Sequence, residues 1–471
     1  MKIRDLFTIF CAFVFLCASL PCRAAGDSEM IVTEATCAEE GTVIFYDDED
    51  GTQTLLSVTP ALGHSFGEWT VEGNAQVRVC TRCGLEEHHE LTEPVRIELT
   101  GSMEGIGKKQ IVSMPVHFEG LGESFDCYAF LSLQGHSTID LDKKNYTLRL
   151  YDDADMTEKH KIRLNGWQKE HKYILKACMQ DATACRNLIA ADVWAEMTGS
   201  RAGVHPRLPE TSHNGAVAGV PATVWLNGEF LGLYNLNLHK DNDLYGMQFD
   251  SPTAVIIANR QSCDESLFMA ETPLDDSLYD WELEYCGTED TAWAADSFNR
   301  LIRFVMTASD EEFRADLSRY LDVNGAIDYL IFIAAMGLKT NCAKDMVLIT
   351  YDGELWIPTA YDLDDAFTEP FIPEKTASGW VTGTGSLLWD RLMNLFTGEI
   401  ISRYHELRQS TLSSVSLTER VSDYILSIPP RYYEMDAALY PGRGKADAGI
   451  DEITEFISGN LGMLDTVWEE E

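Results

Sequence analysis

Positive charge is scarce in this chain. Its 471 residues carry 36 Lys and Arg against 76 Asp and Glu, a formal net charge of −40. Such a polyanion repels nucleic acid and anionic lipid surfaces, stays soluble and draws cations, so nucleic-acid binding is excluded as a function. Cysteine is thin as well. Of 12 in all, Cys11, Cys17 and Cys22 lie near the start, which leaves Cys37, Cys80, Cys83, Cys127, Cys178, Cys185, Cys263, Cys286 and Cys342. That odd set is too sparse for a disulfide-built scaffold; one or two bridges stay open, with no pairing readable. Cys178 and Cys342 sit in apolar runs and are expected as buried free thiols. Beyond the first 25 residues no segment is apolar enough to cross a bilayer, so no stable membrane span is expected. No repeat of solenoid length occurs.

What remains is a globular composition, 45% hydrophobic. The length exceeds one compact core, and two or three domains are expected. Residues 1–25 read as an export signal: Lys2 and Arg4, an apolar stretch from Leu6 to Leu20, then small Ala24 and Ala25. An uncleaved anchor is the runner-up, but the apolar run is short for it. Cys22 follows Ser-Leu-Pro, a poor site for lipid attachment. The expected location is therefore secreted or cell-surface.

Residues 27–92 form a small unit rich in Gly, Thr and Glu, with short strands. The stretches ATCAEEGTVIFY, PALGHSFGEWTVEG and VRVCTRCGLEEHHEL resemble a small repeat module of bacterial surface proteins. The usual module carries two Cys-x-x-Cys knuckles; here Cys80-x-x-Cys83-Gly84 stands alone and the other has lost its cysteines near Tyr46. Cys37 remains, with His64, His88 and His89 nearby. Thiolate and imidazole suit zinc, so Cys37, Cys80, Cys83 and one histidine, His64, make a chemically sensible Zn²⁺ site. A local disulfide or free thiols are the alternatives. Either way the module reads as a spacer or binding unit.

From 93 to 240 the pattern is mainly β, with VRIELT, VSMPVHFE, CYAFLSLQG and NYTLRLYD alternating apolar and polar residues. One helix is expected over Asp181–Met197, and a hairpin over Ala222–Asn237 turning at Asn227-Gly228. Residues 290–336 read as helical, ending in the apolar Ala326–Met336. Further helices are expected over Leu387–Phe396, Glu399–Leu412, Leu417–Ile428 and Asp451–Val467. Segregated strands and helices mean an α+β fold, not a doubly wound sheet.

The most informative segment is Lys344–Phe367, KDMVLITYDGELWIPTAYDLDDAF. It reads as two short strands joined at Asp352-Gly353, then a loop bearing Asp362, Asp364 and Asp365. Carboxylates placed just after a strand are aimed by a rigid sheet, and hard divalent cations prefer such oxygens. A solvated acidic turn is the plain alternative.

A β-rich lobe with a Gly/Ser loop and a lysine soon after it, one helix, a strand connector and a helical lobe with an acidic hairpin resembles the two-lobed layout of a protein kinase. Its usual signatures, GxGxxG, VAIK, HRD and DFG, are absent. The local motifs instead resemble the CotH family of atypical secreted kinases: Leu133–Thr138 with Lys143-Lys144-Asn145-Tyr146, Asp181 to Arg186-Asn187, Val224–Tyr234, Lys240-Asp241, Ile327-Asp328-Tyr329, Lys344–Phe367 and Tyr404 to Arg408. The resemblance spans about residues 93–470, with a β-rich lobe to about 240 and a helical lobe from about 241. It implies a protein kinase using ATP with Mg²⁺ or Mn²⁺. Gly135, Ser137 and Thr138 would cover the phosphates, Lys144 would hold them, and Arg186 would reach the nucleotide or pair with Asp181. The hairpin 224–234 would lead into an adenine-binding connector. Asp362 and Asp364, with Asp345, would bind metal.

Two departures bear on catalysis. Related sequences place an Asp five residues before an Asn ahead of this hairpin; here Thr340 and Asp345 occupy those positions. Threonine is no base at ordinary pH, though phosphoryl transfer relies more on positioning and charge. Glycine usually follows the acidic loop, where Ala366-Phe367-Thr368 stands. Two readings follow: an extracytoplasmic kinase acting on an acceptor protein such as one of a surface or coat, or an inactive pseudokinase serving as a surface binding or structural protein. An adhesin fits export and acidity, but no residue specifies it.

Overall fold

A computed structural model describes residues 28–47, 52–135, 137–247, 251–259, 268–271, 281–377, 379–443 and 446–469. The export-signal segment, His136 and Cys263 lie outside them. The chain divides into two compact units, Met1–Glu90 and Leu91–Glu471.

In the first unit, β1 (Ser28–Thr33), β2 (Gly41–Asp47) and β3 (Gln53–Thr59) form one antiparallel sheet. A second sheet contains β4 (Thr70–Glu72), β5 (Ala75–Val79) and β6 (Glu86–Glu90).

The second unit is α+β, and its strand-rich part closes into a seven-stranded barrel. The strands are β7 (Val95–Leu99), β8 (Val112–Gly120), β9 (Glu123–Gln134), β10 (Asn145–Tyr151), β11 (Lys172–Lys176), β12 (Gly219–Leu226) and β13 (Glu229–Leu238), in the order β10-β11-β13-β12-β7-β8-β9. The alternating pattern expected from the sequence supplies the barrel interior: Ile97, Leu99, Leu131, Leu148, Tyr173 and Leu175 are all buried in one core. Closure is a property of the parallel β7–β12 pairing, which joins segments far apart in sequence and carries no local signal. The Asn227-Gly228 turn forms as expected, with φ of 53° and 84° at the two positions.

A four-stranded sheet follows, β14 (Val255–Asn259), β15 (Trp281–Cys286), β16 (Val347–Thr350) and β17 (Ile357–Thr359), in the order β15-β14-β16-β17. Its β16–β17 connection is longer than a two-residue turn. Asp352 Oδ1 accepts from the Glu354 and Leu355 amides and from Thr350 Oγ1, so the aspartate builds an Asx-type loop instead. A two-stranded ribbon, β18 (Glu374–Thr376) and β19 (Gly379–Val381), completes the strands.

Nine α-helices are present among the described residues: α1 (Arg186–Ser200), α2 (Ala292–Thr307), α3 (Asp310–Asp316), α4 (Val323–Met336), α5 (Leu387–Leu395), α6 (Thr397–Arg408), α7 (Ser414–Ser427), α8 (Pro430–Leu439) and α9 (Ala446–Val467). Helix α1 starts five residues later than expected. Left-handed backbone at Ala184, with φ of 57°, breaks the helical run before Arg186. The apolar run in α4 is buried from Gly325 to Met336 and ends at Gly337, whose φ of 71° suits a residue without Cβ. No described helix is long and apolar enough to cross a membrane.

Candidate functional site

Strand β11 delivers the cation at the centre of the site. Side chains alternate along it, so Tyr173 and Leu175 fill the barrel while Ile174 and Lys176 point to the opposite face. Lys176 Nζ lies 2.5 Å from Asp362 Oδ1 and 3.3 Å from Asp364 Oδ2. One ammonium, from the barrel, therefore bridges two carboxylates of the loop after β17.

That loop is fixed at both ends. Asn341 Nδ2 donates to the Tyr361 carbonyl at 2.8 Å, and Tyr329 in α4 donates to the Asn341 carbonyl. At the far end Arg186 Nη1 donates to the carbonyls of Ala366 and Phe367, and the Phe367 amide donates to Met336. Asp362, Asp345 and Phe367 all adopt left-handed backbone, with φ of 55°, 64° and 61°. Aspartate tolerates that region; phenylalanine there is costly and is held by the Arg186 and Met336 contacts.

The charges are unevenly held. Burial works against ionisation of Asp362, but Lys176 outweighs it and brings its pKa down to about 2. Burial, with Asp362 adding to it and Lys176 opposing, pushes Asp364 up to about 6. Burial and then the charge of Asp362 push Asp345 up to about 7. The side chains of Asp362 and Asp364 remain 36% and 39% exposed, so water screens much of this repulsion. The direction is still informative: three carboxylates carry more negative charge than Lys176 neutralises. Hard oxygens with that surplus attract cations, although among the described residues these three do not converge into a tight ligand cluster.

The sequence-derived candidates do not all meet at one place. Asp345, Asp362 and Asp364 sense one another's charge at the site. Gly135 and Thr138 reach it indirectly. A Cβ on Gly135 would lie 2.1 Å from Thr138 Oγ1; that hydroxyl accepts from Asn145 Nδ2, and Asn145 Oδ1 accepts from the Ala177 amide, next to Lys176. Ser137 opens the short 3-10 turn Ser137–Asp140 in the same loop. Thr340 lies exposed in the turn Lys339–Cys342, beside Asn341.

Lys144 does not meet the acidic loop. Its ammonium donates to the carbonyls of Ile139 and Leu141 and shapes the loop from within. Arg186 serves as an anchor: besides the two carbonyls it pairs with Asp181 at 3.7 Å and Glu452 at 3.1 Å. Lys176 and Asn341 were not singled out from sequence. The signal for Lys176 was present, since a lysine ending the apolar run Tyr-Ile-Leu-Lys-Ala needs a buried counter-charge. A small cavity beside the pair is lined by Ile174, Asn187, Ala191, Val217 and Asn237. In the first unit, Cys37, His64, Cys80 and Cys83 come together.

A family model described as CotH kinase protein matches residues 131–464. The chain belongs to the CotH kinase family. The matched span contains Lys176, Arg186, Asn341 and the acidic loop, so the converging groups are all CotH residues of this chain. A search of curated proteins finds no match.

Proposed function

We propose that the CotH unit is a two-lobed, kinase-like phosphotransferase. It binds ATP with Mg²⁺ or Mn²⁺ and passes the terminal phosphate to an acceptor protein outside the cytoplasm, a surface or coat protein. The meeting of Lys176 with Asp362 and Asp364 carries this reading, because phosphoryl transfer needs a cation and metal-binding carboxylates at one place. Lys176 would release one carboxylate and hold phosphate oxygens as a compact charge. Asp362, Asp364 and Asp345 would hold the divalent ion. An ion held there would supply charge neutralisation for the phosphate oxygens. The Gly135–Thr138 loop would offer backbone amides to the phosphates. Arg186 and Asn341 act through position, fixing the ends of the acidic loop. The basic Lys2 and Arg4, the apolar stretch after them and the small Ala24 and Ala25 support the extracytoplasmic setting.

The test is a thermal-shift titration with ATP and Mn²⁺. A ligand at 100 times its Kd stabilises the native state by about 2.7 kcal/mol, so the wild-type midpoint rises by degrees. Asp362→Ala is expected to abolish the rise. Because each variant is compared with itself, any loss of intrinsic stability cancels. A flat wild-type response sinks the proposal.

The Thr340 position carries a second prediction. A positioned base contributes roughly 10²–10⁴-fold in general, and less where charge and alignment dominate. Thr340→Asp is therefore expected to raise ATP-dependent phosphate incorporation by about tenfold. Nucleotide binding with no incorporation in either form would make this CotH unit a pseudokinase.

A further inference from the structure

The first unit has almost no apolar interior. Among its described residues the buried apolar side chains are Cys37, Val77 and Cys80. Every residue of β3 and β4 is exposed. A unit of this size without a core needs a covalent or metal staple to hold one structure.

Two of those three buried side chains are thiols, and they belong to a convergent set. Cys37 comes from the loop after β1, His64 from the loop after β3, and Cys80 and Cys83 from the turn after β5. One ligand atom from each of the four lies within 4.8 Å of every other. Cys37 Sγ and Cys80 Sγ are 3.9 Å apart, and Cys83 Sγ and His64 Nδ1 are 3.3 Å apart. A tetrahedral zinc ion, with Zn–S of about 2.3 Å and Zn–N of about 2.0 Å, sets its ligands roughly 3.5–3.8 Å apart. The thiols are free, and 3.9 Å is far beyond the roughly 2.05 Å of a disulfide bond.

The backbone around these ligands is already ordered for such an ion. The Ser65 amide donates to Cys80 Sγ at 3.3 Å, which steadies a thiolate. Thr81 donates through its amide and hydroxyl to the Ser65 carbonyl, and Arg82 donates to the carbonyls of Leu62 and Gly63. The cysteine turn and the histidine loop are thus laced together. Gly84, with φ of 75°, closes the turn. The other two histidines are engaged elsewhere: His88 with Glu86 at 3.2 Å, His89 against Trp69.

We propose that Cys37, His64, Cys80 and Cys83 bind one structural Zn²⁺, and that this ion is what folds the first unit over its described residues up to Glu90. Four protein ligands fill a tetrahedral shell and leave no open position, so the site is structural and not catalytic. Each thiol gives up its proton on binding, and the free energy of metal binding becomes folding free energy. The proposal draws on this unit alone and stands apart from the phosphotransfer reading. Its ligands are soft, so Mg²⁺ and Mn²⁺ do not substitute.

The test uses the full chain purified under reducing conditions without added chelator. Zinc released by a thiol-blocking reagent is expected at about one ion per chain. Cobalt substitution is expected to give tetrahedral d–d absorption and a thiolate-to-cobalt charge-transfer band. Cys80→Ser and His64→Ala should each cut zinc retention at least tenfold, and protease should then cleave within the first unit while the second stays intact. The cobalt spectrum of the wild type remains decisive if a variant fails to accumulate. A zinc-free, protease-resistant first unit overturns the proposal. So does a peptide map of the chain purified without reductant in which a disulfide joins two of Cys37, Cys80 and Cys83.

Discussion

Lys176→Met is expected to remove the ATP- and Mn²⁺-dependent rise in melting midpoint and to lower phosphate incorporation by about 10²–10³-fold, the range seen when one charge-stabilising donor is lost. The matched variant, Lys144→Met, is expected to stay within about threefold of wild type in incorporation, because its ammonium satisfies two loop carbonyls and no acidic group. The comparison separates two lysines that a sequence motif cannot. Lys144 stands just before β10, and Lys176 is the last residue of β11. Only Lys176 faces Asp362 and Asp364. Lys176→Arg should keep part of the binding signal but not the rate. A planar guanidinium keeps the charge but not the point geometry of an ammonium. Equal losses in the Lys144 and Lys176 variants would show that loop shape, not the bridging charge, governs the site. An unaffected Lys176→Met enzyme would refute its assigned role.

The acidic loop was legible because Asp-Leu-Asp-Asp follows a β-rich run, and strand ends place loops predictably. The alternating strands and the helical second half were legible for the same periodic reason. Three things were not. Barrel closure depends on β7 lying parallel to β12, and no local pattern encodes that pairing. Helix α8 begins at Pro430 after Pro429, and two prolines read more readily as a break than as a start. The third is which residue of a motif does what. Asp328 pairs with Arg403 and Arg201, and Tyr404 with Arg408 clasps Asp465 of α9. Those motifs hold helices together. A sequence shows that a charged residue sits in an apolar run, but its partner lies far along the chain, as Asp362 does, 186 residues from Lys176.

Asp436→Ala is expected to cost about 3–5 kcal/mol of stability in the CotH unit, the largest effect of any single change away from the site. Lys143, one residue before the loop-shaping lysine, runs inward to Asp436 of α8 at 2.8 Å, and both side chains are 0% exposed. The aspartate also accepts from the Leu233 amide at 2.7 Å, and the ammonium donates to the Leu233 carbonyl and lies 4.6 Å from the Tyr234 ring. Removing the carboxylate strands a desolvated ammonium and a buried amide together. Removing both charges does not: Lys143→Met with Asp436→Leu leaves only the neutral Leu233 N–H and C=O unmet, groups that cost less to strand than a charge. The double variant should therefore unfold at a higher urea concentration than Asp436→Ala alone. That ordering distinguishes a stranded charge from a lost helix contact. If the double variant is instead the less stable, the pair contributes net attraction and its burial is favourable in its own right. The pair ties α8 to β13, whose Asn235 is the register partner of Lys176. A loosened α8 should accordingly weaken the nucleotide response of Asp436→Ala before the unit unfolds, and the double variant should restore it.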